Sequence, residues 1–190
     1  MNSTPLAIPD VVLVEPRIFD DSRGYFFEFF RHNVFCDFGP RTRYIQQSES
    51  RSSYGVVRGL HYQLPPHAQT KVVRVVEGAI LDVAVDIRRD STTFGQHIAV
   101  ELSVNNKSLL VIPRGFAHGF SVLSDNATIN YMVDNYYAPE SERGIVFNDP
   151  DLGIDWRLDP ETIELSEKDA RYPGINEAEL FTAGSDLYEQ

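Results

Sequence analysis

The run Lys71-Val72-Val73-Arg74-Val75-Val76-Glu77-Gly78-Ala79-Ile80-Leu81-Asp82-Val83-Ala84-Val85-Asp86-Ile87 decides the fold class. Two segments of strand length and β-branched composition, Lys71 to Val76 and Ile80 to Ile87, flank Glu77-Gly78, which reads as a hairpin turn. In the second segment Leu81, Val83, Val85 and Ile87 share one face while Asp82 and Asp86 share the other. That is the period-two signature of a strand with unlike faces. Lys71 shares its face with Val73 and Val75. If that face points inward, an ammonium sits in an apolar cavity and needs an anion; if it points outward, Lys71 is an ordinary surface residue.

Working outward, further segments suit strands: Val11 to Val14, Tyr25 to Phe30, Arg43 to Gln47, Val56 to Tyr62, His97 to Leu102, Leu109 to Ile112, Gly119 to Leu123 and Thr128 to Val133. Short strands at this density, punctuated by Gly, Pro, Asp and Asn, predict an all-β antiparallel sandwich, barrel or jelly roll. From about Asp149 the pattern turns irregular, with Pro150, Gly153, Pro160, Pro173 and Gly174. That tail, about 149–190, is expected to wrap the body and to hold one short helix near Glu167 to Ala170. No internal repeat, low-complexity tract or linker divides the chain. One domain over residues 1–190 is expected, with the N-terminal strands, about 1–50, as the part open to sharing with a partner subunit.

Hydrophobic residues make up 42% and charged residues 24% of the 190 residues, which excludes disorder as the main state. A formal net charge of −11 argues against nucleic-acid polymers and anionic membranes as partners. Within that acidic total only Lys71, Lys107 and Lys168 are lysines, so the remaining bases are arginines, an enrichment that points to a local function. Cys36 is the sole cysteine, which excludes an internal disulfide and a cysteine-based zinc site. It reads as a packed thiol. No apolar run approaches the ~20 residues of a membrane span, and no basic region precedes an apolar N-terminal stretch. A soluble, cytoplasmic protein is expected.

The chemistry concentrates in Gly55-Val56-Val57-Arg58-Gly59-Leu60-His61-Tyr62-Gln63, followed by His67 and Lys71. In a regular strand Arg58 and His61 point to opposite faces, but a bulge at Gly59 turns both into one cavity. The bland alternative pairs Arg58 with a surface acid and makes His61 a satisfied core histidine. His61, His67 and His118 also invite a metal reading, yet no carboxylate is placed to complete a facial set; Glu77 is the nearest acid. Pro113 to Phe120 sets a tight turn before a strand, where His118 is often structural. Tyr131, Tyr136 and Tyr137 are packing residues unless one faces a cavity as an acid or a stacking surface. Asp169 is a surface acid unless the tail folds back and its carboxyl orients a histidine.

These segments together resemble the dTDP-4-dehydrorhamnose 3,5-epimerase family. The resemblance runs through Asp21-Ser22-Arg23-Gly24-Tyr25-Phe26-Phe27-Glu28, Gly55 to Gln63, Val72 to Gly78 and Asp82 to Arg88. It continues through Ile112-Pro113-Arg114-Gly115-Phe116-Ala117-His118-Gly119-Phe120, Tyr136 to Glu140, Asn148-Asp149-Pro150, Gly153 to Trp156 and Leu165-Ser166-Glu167-Lys168-Asp169. It covers nearly the whole chain, in order. It implies a cupin-type jelly roll that forms a homodimer and works without metal or cofactor on a nucleotide-diphosphate sugar. It makes His61 the base beside the C4 ketone, Asp169 its dyad partner, Lys71 the cation for the enolate and Tyr131 the acid on the opposite sugar face. Arg58, towards the diphosphate, Gln46 and His118 match substrate contacts. Phe19, Arg23, Phe26 and Glu28 match nucleotide-side positions, some reaching in from the partner, and Tyr137 matches a stacking aromatic.

The chain departs from the family pattern at Ser48, a sugar-side position usually Asn, at Thr70, usually Gly, and at Met132-Val133. These departures leave open an enzyme inverting one centre only, or acting on a CDP-linked or 3,6-dideoxy sugar. From another class comes a sugar- or metal-binding cupin without catalysis. The complete set of His61, Asp169, Lys71 and Tyr131 argues for the enzyme.

Overall fold

A computed structural model describes residues 1–38, 42–181, 184 and 187–188. The N-terminal third contains β1 (Asn2–Pro5), β2 (Val12–Glu15), β3 (Ile18–Asp21), β4 (Gly24–Phe27), helix α1 (His32–Phe38) and β5 (Gln46–Ser53). The middle holds β6 (Val57–Gln63), β7 (Lys71–Glu77), β8 (Ala79–Asp86), β9 (His97–Ser103), β10 (Leu109–Ile112), β11 (Phe116–Val122) and β12 (Asn126–Val133). A last short strand, β13 (Glu142–Gly144), precedes a tail with 3₁₀ turns at Pro160–Thr162 and Asp169–Arg171.

The strands form a six-stranded sheet in the order β1-β2-β10-β7-β12-β5 and a five-stranded sheet in the order β13-β6-β11-β8-β9. All the pairings within them are antiparallel, and β3 and β4 stand apart as a two-stranded ribbon. This is the jelly roll expected. Between the sheets Val73, Val75, Leu110, Ile112 and Ile129 meet Ile80, Ala84, Leu102, Phe116 and Val122.

The outer faces are covered as well. The tail lays Ile145, Leu152, Trp156, Ile175 and Phe181 over Leu81, Val83, Val85 and Ile87. On the other side Phe35 of α1 packs with Val12, Val14, Val72, Leu109 and Val111. Both faces of β8 are therefore buried, and the face bearing Asp82 and Asp86 looks into the sandwich. At roughly 25 cal/mol per Å² of apolar area, three such layers give the chain ample driving force to fold around a polar cavity.

Several expectations need correction. Lys71 to Val76 and Ile80 to Ile87 are not a hairpin: β7 and β8 lie in different sheets, and Glu77-Gly78 is the corner between them. Gly78 has φ +76, and a Cβ there would stand 2.0 Å from the Asn126 carbonyl oxygen. The strand foreseen at Arg43 to Gln47 begins only at Gln46 and continues through the polar run to Ser53. The strand foreseen at Tyr25 to Phe30 stops at Phe27, after which Phe29 and Phe30 turn onto the outer core. The short helix near Glu167 to Ala170 is a 3₁₀ turn at Asp169–Arg171, and α1 was not foreseen.

One backbone feature shapes the site. β6 spends three steps, from Arg58 to His61, where β11 spends two, from Phe120 to His118. The extra residue is accommodated at Gly59, whose φ is +126 and where a Cβ would lie 2.5 Å from Gly119 Cα. Gly59→Ala therefore combines left-handed backbone strain with a main-chain clash and should cost roughly 2–4 kcal/mol. Urea denaturation checks this, and an unchanged midpoint would show that the two strands separate without cost.

Candidate active site

The bulge places Arg58 and His61 on the same side of β6, both lining an inner chamber with Ser50, Lys71, His118, Phe120, Ile129 and Tyr131. The chamber opens into a cavity of about 290 Å³, lined among others by Gln46, Ser48, His61, Lys71, Tyr131, Tyr137 and Glu142. A second recess of about 270 Å³ lies on the other side of His61 and includes Arg58, Glu142, Ser166, Lys168 and Asp169.

The two walls carry different chemistry. The five-stranded sheet supplies His61 and, directly opposite it on β11, His118. The six-stranded sheet supplies Lys71 from β7, Tyr131 from β12 and the polar residues of β5. Alternation along β5 sends Gln46, Ser48, Ser50 and Ser52 inward, and this explains why an apolar pattern is missing there. The strand's inner face borders a polar cavity.

His61 is oriented from behind by the tail. Its Nε2 lies 2.6 Å from Asp169 Oδ1, with the imidazole 29% exposed and the carboxyl only 5%. The Asp169 backbone N–H donates to Ser166 Oγ at 3.0 Å. Burial pushes the Asp169 carboxyl up, but hydrogen bonds from His61, Ser166 and the Gly59 backbone outweigh it and hold it below its ordinary value. Tyr172 closes against the imidazole edge at 5.7 Å between centroids. The ring is thus held by a carboxyl on one nitrogen and by Tyr172, and it borders the cavity.

Lys71 shares the inward face of Val73 and Val75, as its position on β7 requires. Burial lowers its ammonium to about 8, against the attraction of Asp82 and Glu142. Its Nζ reaches the His61 carbonyl at 3.5 Å. Asp82, fully buried on β8, accepts from His118 Nε2 through Oδ1 at 2.7 Å. Its Oδ2 has no hydrogen-bond partner. Burial also lowers His118, opposed by Asp82 and reinforced by Lys71 and His61 nearby. Lys71, Asp82 and His118 thus form one buried polar cluster.

Of the other foreseen residues, Arg58 and Tyr137 line the cavities. Arg58 donates through Nε to Ser52 Oγ at 3.1 Å, and no described carboxyl pairs with it. Tyr137 donates its hydroxyl to Glu142 Oε2 at 2.7 Å, while its backbone N–H donates to Gln46 Oε1 at 3.1 Å. Phe19, Arg23, Phe26 and Glu28 do not line these cavities. Phe19 and Phe26 are 50% and 69% exposed on the β3–β4 ribbon, Arg23 pairs there with Asp21, and Glu28 pairs with Arg31. His67 lies away from His61 and His118, with Nδ1 2.8 Å from Ser141 Oγ. No group of three His, Cys, Asp or Glu among the described residues is placed to hold a metal ion. Cys36 lies on α1, its sulfur 3.8 Å from His32 Nε2.

Sequence reasoning missed Glu142, Lys168 and Asp82. Glu142 forms the rim between the two recesses and binds both the Tyr137 hydroxyl and the Lys168 ammonium. Nothing in the irregular sequence around it signals this. Asp82 did stand out, as an acid inside an apolar strand, but the pattern could not say that its face was interior.

The comparisons with known proteins agree with this fold. A family model described as dTDP-4-dehydrorhamnose 3,5-epimerase matches residues 5–177. The dTDP-4-dehydrorhamnose 3,5-epimerase of Pseudomonas aeruginosa is 50% identical over 95% of this chain and 99% of its own length. Among solved structures, the Legionella pneumophila dTDP-6-deoxy-D-glucose-3,5-epimerase in complex with dTDP-4-keto-L-rhamnose superposes with a TM-score of 0.89 at 46% identity, covering 92% of this chain and 93% of that one. A 3'-monoepimerase from Streptomyces bikiniensis in complex with dTDP-quinovose superposes with a TM-score of 0.83 at 36% identity, covering 90% and 87%.

The field around Lys71 yields a direct test. Because Asp82 helps keep the proton on Lys71, Asp82→Asn should move the titration of Lys71 below about 8, by roughly one unit. With only three lysines in the chain, ¹⁵N NMR of the side-chain amines resolves it. An unmoved titration would mean that Asp82 does not hold the charge.

Proposed function

The chain belongs to the dTDP-4-dehydrorhamnose 3,5-epimerase family and is an epimerase with the cupin-type jelly roll of its relatives, and from that premise we propose that it inverts C3 and C5 of a dTDP-linked 4-keto-6-deoxyhexose. His61 removes the proton next to the C4 ketone, with Asp169 fixing its ring and balancing the imidazolium that forms. Lys71 meets the oxygen of the enolate, since a carbon acid of this kind is too weak for histidine unaided. Tyr131 returns a proton from the opposite face. Once His61 has released its proton to solvent and Tyr131 has taken one from it, the same cycle at the other carbon completes the second inversion. The ammonium supplies the electrophile, so the reaction needs neither metal nor cofactor.

The observation that supports this reading most is the division of labour between the sheets: His61 stands on one wall, and Tyr131 and Lys71 stand on the other. Inversion needs a base and an acid on opposite faces, whereas mere sugar binding does not. Gln46, Ser48 and His118 would contact the sugar side. Arg58 and Lys168 border the second recess and suit a diphosphate, because a guanidinium meets phosphate oxygens bidentately and an ammonium as a point charge. Tyr137, on the rim, offers a face for stacking. Phe19, Arg23, Phe26 and Glu28 would complete the nucleotide site of a second copy, so the working form is a homodimer. A nucleotide-linked substrate places the reaction in the cytoplasm, in deoxysugar biosynthesis of the rhamnose type.

A single inversion is the second reading, favoured by the likeness to the 3'-monoepimerase. NMR of the sugar in deuterated water, with dTDP- and CDP-linked 4-keto sugars side by side, separates the readings. Deuterium should enter at both C3 and C5 of the dTDP sugar; entry at one carbon would establish the single inversion. His61→Ala should slow exchange by about 10²- to 10⁴-fold, and retained exchange would show that another group is the base. Turnover should also fall as pH rises through about 8, where Lys71 loses the proton that stabilises the enolate.

A further inference from the structure

The family match ends at residue 177, yet residues 178–181 are seated on the core: Ala178, Leu180 and Phe181 are all buried. The described residues of this tail touch the chain neighbours of both groups at the centre of the site. Tyr62, which follows His61, donates its hydroxyl to the Glu179 carbonyl at 2.7 Å and packs its ring 5.8 Å from Phe181. Thr70, which precedes Lys71, has its hydroxyl 3.4 Å from the Tyr188 hydroxyl.

The second contact belongs to a larger knot. Lys71 begins β7 between Ile112 of β10 and Val133 of β12. Just past those two neighbours lie Arg114 and Asp134, whose side chains are 1% and 0% exposed and which pair at 3.1 Å. They form a buried ion pair spanning the start of the Lys71 strand. Asp134 Oδ1 accepts the Thr70 backbone N–H at 2.6 Å, and its Oδ2 also accepts the Thr42 hydroxyl at 2.8 Å. Arg114 donates Nη1 to the Leu187 carbonyl at 2.7 Å and its backbone N–H to the Tyr188 hydroxyl at 3.1 Å. Its guanidinium lies 5.0 Å from the centroid of the Tyr188 ring. The tail thus supplies acceptors to Arg114 that water would otherwise have to provide.

From this geometry we infer that residues 178–181 and 187–188 act as a positioning strap, with Tyr188 setting the height of Lys71 in the cavity through Thr70, Arg114 and Asp134. The position of Thr70, where the sequence departs from the glycine of the family pattern, is what gives the Tyr188 hydroxyl a side chain to hold. A group that stabilises an enolate by charge must stand at hydrogen-bond distance from the oxygen, so a small shift at Thr70 changes turnover more than binding. The strap touches no substrate; it acts through Lys71. This inference rests on the proposed epimerase reading.

The test compares wild type with Tyr188→Phe, Thr70→Ala, the double variant and a chain ending at residue 186. Losing one shared hydroxyl should lower kcat for exchange about three- to tenfold with KM nearly constant. It should also move the alkaline limb of kcat and speed amide exchange over residues 70–73. The double variant should be no slower than the slower single one, because the two hydroxyls act on each other. A lower melting temperature with kcat, its alkaline limb and the amide exchange all unmoved would overturn the inference and leave a merely structural tail. Wild type lacking sugar exchange altogether would overturn the epimerase reading instead; the amide exchange over residues 70–73 would still report whether Tyr188 holds the Lys71 strand.

Discussion

A lysine ammonium enclosed between two β-sheets is the constraint to which much of the rest answers. Removing a charge from water costs several kcal/mol unless the surroundings return it as ion pairing and hydrogen bonds. In this chain the return comes from Asp82 and Glu142, whose attraction opposes the burial that brings Lys71 down to about 8. Asp82 is held in turn by His118, and Glu142 by Lys168 and Tyr137. Each partner is itself anchored to a different sheet or to the tail, so the polar cluster ties the layers together. An ammonium that titrates near neutrality is held less tightly than a surface lysine, and it gains most when a negative oxygen arrives beside it.

The strands that build the hydrophobic layers were legible because burial leaves a periodic trace. β8 alternates large apolar residues toward the tail with Ala84, Asp82 and Asp86 toward the sandwich, and β10 is apolar throughout. What the trace could not carry was the partner of each face. A period of two is the same whether the second face meets water or another sheet, so the pattern left open what the Asp82 face meets. The corner at Glu77-Gly78 misled for a related reason: a two-residue turn joins strands in one sheet or across two, and only the third dimension separates these cases.

β5 shows the opposite limit. Its inward residues, Gln46, Ser48, Ser50 and Ser52, are polar because they border the cavity rather than the core. A reading that equates inward with apolar must fail where the inside is a binding site. The contact of His61 with Asp169, 108 positions away, was foreseen from the resemblance; spacing alone had left the tail acid at the surface. Glu142 and Lys168 escaped both routes. They come together only because the tail crosses the mouth of the cavity beside β13.

The charge of −11 acquires a spatial meaning in this arrangement. Among the described residues many cations are matched locally, as in Arg88 with Asp86 and Asp10, Arg143 with Glu179 and Arg171 with Glu167. Arg58 keeps only a serine, Lys71 lies deep in the cavity, and Lys168 shares one carboxyl with a tyrosine. These three lie around the recesses beside His61, so an acidic protein offers an anion a small basic pocket within a repulsive surface. The repulsion disfavours long polyanions, which must lie along the whole surface, and costs a compact diphosphate far less, since it contacts only the pocket. Selectivity for a single activated sugar over a nucleic-acid strand therefore follows from where a few cations gather, not from the sign of the total.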